Sequence, residues 1–270
     1  MRIMYVGMHQ YMATQAVEKL ENLFTEMEAN DIKFGNNKEF YGYDIEFRNV
    51  SFKYDTANIL ENLSFRLEEN KTYALVGSSG GGKSTIAKLI SGFYNINEGE
   101  ILIGGKNIST YSREALMNNI SFVFQNSKLF KTTIFENVKI GNENASYEEV
   151  MNALKLARCG DILDKFETRE NTVIGSKGVH LSGGEIQRIA IARAILKDAK
   201  IIILDEATSY IDTENENIIQ AAISKLVKGK TLIVIAHRLN TIKGADKIFV
   251  INNGMLENSG KHEELLEKSK

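Results

Sequence analysis

The chain has 270 residues, a formal net charge of −2, 43% hydrophobic residues and 25% charged ones, the balance of a folded domain with a sizeable core. A charge so close to neutral excludes the general basic field of a nucleic-acid binder, and no apolar run approaches the ~20 residues that span a bilayer. The single Cys159 excludes an internal disulfide and fits a reducing compartment. Met1-Arg2 leads into a Met-rich stretch without the apolar block of a signal peptide.

In chain order, Met12, Ala16, Leu20, Leu23 and Met27 recur at three- and four-residue steps and predict a helix over 12–28. The polar run Asn30 to Glu39 reads as a linker. Ile45 and Phe47, then Val50, Phe52 and Tyr54, predict a strand whose parity switches at Asn49, the mark of a bulge. Leu63, Phe65 and Leu67 alternate as a second strand. Thr72 to Val76 predicts a third, and Glu98 to Gly105 a strand and turn. Ile120 to Phe124 predicts another strand. From about 128 to 180 strand signals give way to charged helical segments such as Tyr147 to Ala157, an insertion in the sheet domain. Strands return at 201–204, 231–236 and 247–251, Asn252-Asn253-Gly254 reads as a turn, and His262 to Lys268 as a short helix. The chain contains no proline, so its turns rest on Gly, Asn, Asp and Ser.

Four of these strands end in residues suited to phosphate chemistry. Thr72–Val76 runs into Gly77-Ser78-Ser79-Gly80-Gly81-Gly82-Lys83-Ser84-Thr85, Ile120–Phe124 into Gln125, Ile201–Leu204 into Asp205-Glu206, and Leu232–Ala236 into His237. Continuous apolar runs of this kind suit parallel strands buried on both faces, and open α/β sheets bind ligands beyond the carboxyl ends of such strands. One pocket would then collect a phosphate cradle, an amide, two carboxylates and an imidazole, the set needed to hydrolyse a magnesium nucleotide.

Gly77-x-x-x-x-Gly82-Lys83-Ser84 is a complete P-loop pattern. Its glycines turn backbone N–H groups toward phosphates, the following helix start adds partial positive charge, Lys83 reaches the β/γ-phosphates and Ser84 holds Mg²⁺. Asp205 suits a magnesium-bound water, and the adjacent Glu206 points elsewhere and orients the attacking water. Leu181-Ser182-Gly183-Gly184-Glu185 opens a helical run. Ser182-x-x-Glu185 is a capping box, while Gly183 and Gly184 bare the backbone at a helix N-terminus as a second anion site. The two readings hold together. Two such helix starts serving one phosphate would most easily come from two chains.

These five motifs, in this order, resemble those of the ATP-binding-cassette (ABC) ATPases over roughly 44–268. The resemblance implies an α/β P-loop NTPase fold with a mostly parallel core sheet, an antiparallel β subdomain and a helical subdomain at about 128–185. It implies ATP and Mg²⁺ as cofactors and a head-to-tail dimer with a second nucleotide-binding domain, identical or homologous, each ATP sandwiched between one P-loop and the other's signature motif. By the same resemblance Tyr54 stacks on adenine, Gln125 senses Mg²⁺ and links to a transport domain, and Glu206 is the general base. Asp212 belongs to the loop that crosses the dimer, and His237 is the γ-phosphate switch.

Thr172 to Gly178 resembles a loop of ABC exporters, and residues 13–28 the segment leaving an exporter's last membrane helix. That implies 1–39 as a helical segment and linker from a membrane domain fused N-terminally and 40–270 as the ABC domain, at the cytoplasmic face of the membrane and soluble when isolated. Importer ATPases, soluble ABC proteins of macromolecular machines and chromosome-structural ATPase heads are the alternatives. The last insert long coiled coils between P-loop and signature, and this chain has no long heptad run there. The pattern departs from the family where Glu185 replaces Gln, where Ser209-Tyr210-Ile211-Asp212 replaces Ser-Ala-Leu-Asp, and where Ser176 replaces Glu. An anionic Glu185 facing a γ-phosphate would weaken the ATP sandwich unless the capping box holds it away.

Overall fold

The computed structural model describes residues 32–54, 56–124, 126–175, 178–205, 213–235 and 244–268, with only the helical backbone at 213–217 and 268. The helix expected at 12–28, Gln125, Ser176, Glu206, Asp212 and His237 lie outside the described residues. Phe34–Lys270 forms one compact unit.

That unit contains two sheets. The first is antiparallel and four-stranded, built from β1 (Ile45–Lys53), β2 (Asn58–Leu67), β4 (Glu98–Ile103) and β5 (Lys106–Asn107) in the order β2-β1-β4-β5. β1 carries the bulge that the parity switch predicts: its register with β2 shifts between Phe47 and Val50, and Asn49 sits at φ 49°.

The second sheet contains β3 (Thr72–Val76), β6 (Ile120–Val123), β7 (Ile201–Asp205), β8 (Thr231–Ile235), β9 (Lys247–Asn252) and β10 (Met255–Gly260) in the order β10-β9-β3-β8-β7-β6. All its pairings are parallel except β9 with β10. β3, β8, β7 and β6 are therefore consecutive neighbours running the same way. Their carboxyl ends line one edge, and each leads into one of the motif segments.

The helices are α1 (Lys83–Ile90), α2 (Arg113–Asn119), α3 (Ile134–Lys139), α4 (Tyr147–Leu156), α5 (Gly160–Asp164), α6 (Gly183–Lys197), α7 (Thr213–Leu226) and α8 (His262–Lys268). The six-stranded sheet divides the core in two. Tyr73, Leu75, Ile201, Ile203, Ile233, Ile235 and Phe249 pack with β1, β2 and α1, whereas Ala74, Ile202, Leu204, Leu232, Val234 and Ile248 pack with α3 to α7. Successive strand side chains alternate between these clusters, so a strand with both faces covered is an almost continuous apolar run, with Ser121 and Thr231 as buried polar exceptions.

Side-chain caps set several helix starts. Ser112, Thr133, Ser146 and Ser182 each accept a backbone N–H two or three residues into α2, α3, α4 and α6. Asn253 (φ 46°) and Gly254 (φ 76°) make the tight turn between β9 and β10, the two positive φ values that a two-residue hairpin loop requires. β10 was not among the strands expected from the sequence. Its residues MLENSG lack β-branched character, and its position comes from the turn and from pairing with β9.

Candidate active site

The loop between β3 and α1 encloses a cradle of about 270 Å³ lined by Tyr54, Ile59 and Ser79 to Thr85. Its shape depends on glycine. At Gly77 (φ 138°) a Cβ would stand 1.8 Å from the carbonyl oxygen of Ile251, and at Gly82 (φ 101°) 2.6 Å from Leu60 Cδ2. Lys83 is 5% exposed, and its ammonium donates to the carbonyls of Gly77 (3.0 Å) and Ser78 (2.7 Å), folding the loop around itself. Neighbours brace it from outside: Ser78 Oγ donates to Asn252 Oδ1 (2.9 Å), and the Gly254 N–H donates to Gly81 O (3.1 Å). The β9–β10 turn is thus a buttress of the cradle, a role no motif announced.

Helix α1 starts after its N-cap Gly82 with no side-chain cap, and the dipole of a helix start favours an anion there. Ser84 Oγ donates to Asp205 Oδ1 at 3.4 Å across the β3–β7 gap. A hydroxyl and a carboxylate oxygen at this spacing suit Mg²⁺, whose adjacent octahedral ligands at 2.0–2.1 Å stand ~3 Å apart. Phosphate oxygens and water would complete such a shell, and this pair is the one expected from the sequence.

Tyr54, just beyond β1, is 43% exposed at the cradle's rim. It meets Phe52 and Tyr94 edge-on, with centroids 4.9 and 5.1 Å away, and its hydroxyl lies 3.2 Å from Thr85 Oγ1. These contacts hold the ring at the cradle's rim, with Lys88 Nζ 6.0 Å from its centroid. Tyr94, which no sequence signal marked, is one of the two aromatic rings that hold it.

The Leu181-Ser182-Gly183-Gly184-Glu185 segment starts α6 with both arms of a capping box. Ser182 Oγ accepts the Glu185 N–H (3.4 Å), and Glu185 Oε2 accepts the Ser182 N–H (2.7 Å). The other carboxylate oxygen accepts from the Lys165 ammonium. Burial by itself would push the Glu185 carboxyl up, but Lys165 and the Ser182 N–H outweigh it and hold the group below its ordinary value. Both oxygens are therefore engaged within the chain, and a cation accompanies the charge that replaces the family's Gln. Gly183 meets nothing within 4 Å of a built Cβ.

Beyond β6 the loop is organised by the fully buried Asn137. Its side chain accepts the Phe130 N–H (2.8 Å) and donates to the carbonyls of Phe130 (3.0 Å) and Thr133 (2.9 Å). Arg193 of α6 donates to Asn137 O (2.8 Å) and Oδ1 (3.1 Å). The result is a groove of about 460 Å³ flanked by Phe124 and Phe130, which are 43% and 60% exposed. The structure brings the P-loop, Ser84, Asp205 and Tyr54 together, and sets Ser182 to Glu185 at a separate helix start. Cys159 is buried in the helical core, which pushes its thiol up to about 12 and leaves it unreactive.

Residues 60–209, more than half of the chain, match the family model described as ABC transporter. The ATP-dependent lipid A-core flippase of Escherichia coli K12 is 48% identical over 227 residues, 83% of this chain and 39% of that protein. ABC transporter B family member 13 of Arabidopsis thaliana is 47% identical over 226 residues, 83% of this chain and 18% of that protein. The solved structure of a bacterial Atm1-family ABC exporter with ATP bound superposes with a TM-score of 0.84 at 36% identity, covering 95% of this chain and 46% of that one. The chain thus spans less than half the length of these relatives, and no helix among its described residues is long and apolar enough to cross a membrane. Its cradle, its Ser84–Asp205 pair and these relatives agree: the chain belongs to the ABC transporter family and is an ATP-binding domain of it.

Proposed function

We propose that this chain is the motor domain of an ABC exporter, which binds and hydrolyses Mg-ATP at the cytoplasmic face of a membrane. The observation that carries the reading is the Ser84–Asp205 pair at 3.4 Å, set at the mouth of a cradle whose helix has no cap of its own. ATP fills that cradle. Lys83 and the α1 N–H groups hold the phosphates, and Tyr54 stacks on adenine. Ser84 and Asp205, with Gln125, would hold Mg²⁺, which would supply charge neutralisation of the phosphates. Glu206 takes the proton of a water that bonds to the γ-phosphorus as the bond to the bridging oxygen breaks, and His237 contacts the γ-phosphate. Catalysis is then mainly positioning and charge stabilisation.

The γ-phosphate also joins two domains. A second nucleotide-binding domain, identical or homologous, presents Ser182, Gly183 and Gly184 to it, and Asp212 crosses the interface. Glu185 acts behind them as the cap. A transmembrane domain fused N-terminally through residues 1–39 is driven by closure and reopening. The exposed Phe124, which precedes Gln125 in the chain, and Phe130 support a docking groove for it, and the two bacterial relatives support the exporter class. Purified chain should hydrolyse ATP only with Mg²⁺ and stay monomeric by light scattering without nucleotide or with ADP. A tight dimer without nucleotide, or no hydrolysis at any protein concentration, would overturn the reading.

A further inference from the structure

A cleft of about 980 Å³ opens between α4, α5, α6 and α7, lined by none of the cradle or capping-box residues. Two of its cations have no acidic partner among the described residues: Lys155, in the last turn of α4, and Arg158, just past it, both exposed. Two acids at the cleft among the described residues are already engaged. Asp161 receives Arg188 Nη1 at 2.6 Å and Nη2 at 2.9 Å, which holds its carboxyl low, and Asp164 pairs with Arg169. Met151 and Ile218, both half-buried, supply an apolar wall.

The backbone at Arg158 adds an independent argument. The Cys159 N–H bonds to Leu154 O (3.0 Å) and the Arg158 N–H to Lys155 O (3.1 Å). This is the double bond of a helix end that normally carries glycine at the left-handed position. Arg158 occupies that position at φ 57°. A long side chain kept where glycine is conformationally easier points to a use for the guanidinium. The carbonyl of Arg158 accepts Arg188 Nη1 at 2.6 Å, an interaction any residue would provide, so it does not account for the arginine.

We propose that this cleft binds a small anionic amphiphile, its phosphate or carboxylate head between Lys155 and Arg158 and its chain along Met151 and Ile218. Arg188 ties the Arg158 carbonyl and Asp161 to α6, so the occupied cleft adjoins the same helix that carries the signature motif.

Octyl phosphate, titrated calorimetrically into the full chain with MgATP saturating, is the test. One molecule should bind. Arg158→Gly relieves the left-handed strain and keeps the helix end, so it should fold at least as well and bind at least threefold more weakly, and Lys155→Glu with Arg158→Glu at least tenfold more weakly. Octyl glucoside and inorganic phosphate should each bind at least tenfold more weakly than octyl phosphate. Unchanged affinity in folded Arg158→Gly, equal binding of octyl glucoside, or equal binding of inorganic phosphate would overturn the proposal.

Discussion

Three helix starts in this chain differ in who satisfies their N–H groups. α4 has a full capping box, Ser146 with Glu149, and no glycine. α6 has the same box, Ser182 with Glu185, but with Gly183 and Gly184 between. α1 has glycine at its cap and no side-chain bond. α4 is satisfied by its own side chains. α6 is stable without a ligand yet open to one, because its glycines leave the backbone bare. α1 has no side-chain cap at its start. Under the proposed function this difference orders the events: nucleotide goes first to α1, and the preformed α6 of a second domain closes on it afterwards.

The largest expected effect falls on hydrolysis, the step after closure. Glu206→Gln keeps the shape of the side chain and removes the base, so turnover should drop by the ~10²–10⁴-fold typical of general base catalysis. A MgATP-bound dimer should then accumulate on gel filtration. Rapid hydrolysis by this variant would remove Glu206 from the role.

Glycine substitution separates the two anion sites. Gly77→Ala drives a Cβ to 1.8 Å from a backbone oxygen at φ 138°, and should destabilise the monomer by more than ~2 kcal/mol in urea unfolding. Gly183→Ala meets nothing within 4 Å and should leave monomer stability and nucleotide binding unchanged, while weakening ATP-driven dimerisation at least tenfold. Equal monomer losses in both variants would erase the distinction.

A finer test concerns Lys165. With Glu185 capped and paired, Glu185→Gln alone should strengthen the ATP-bound dimer only slightly. Lys165→Met exposes the charge and should weaken the dimer two- to fivefold, matching an ion pair of ~0.4–1 kcal/mol, discounted because Lys165 is half exposed. The loss should vanish in a Glu185→Gln background. The dimer constant is best measured with Glu206→Gln present, where hydrolysis does not interfere. A loss that persists would assign Lys165 another role.

The smallest effect is in acid. Bonded to Arg188, Asp161 lies below its ordinary 3.8, and Glu185 lies below 4.5. Such groups lend stability fully above those values, and lose it as pH falls through the lower folded ones. Asp161→Asn should therefore unfold at lower urea than the parent at neutral pH, with the gap narrowing as pH falls below 3.8. A gap independent of pH would mean that the Arg188 contact acts by packing alone.

The chemistry was legible in the sequence because each element of it is local. A P-loop needs its glycines, lysine and serine at fixed steps, a capping box needs Ser and Glu three apart, and a strand buried on both faces reads as an almost continuous apolar run. Asn49 announced its bulge because strand side chains alternate, so one residue out of step reverses the pattern. The partners of these motifs were not legible, because they lie far along the chain. Lys165 reaches Glu185 from 20 positions away, Arg193 reaches Asn137 from 56, and Asn252 braces Ser78 from 174. β10 has no pattern of its own and exists because β9 offers an edge. Sequence alone determined which groups the site holds, since motif spacing is set by backbone geometry within a turn. The tertiary structure alone decided which carboxylate is neutralised and what braces the cradle, since both depend on which distant partner the fold brings within hydrogen-bond reach.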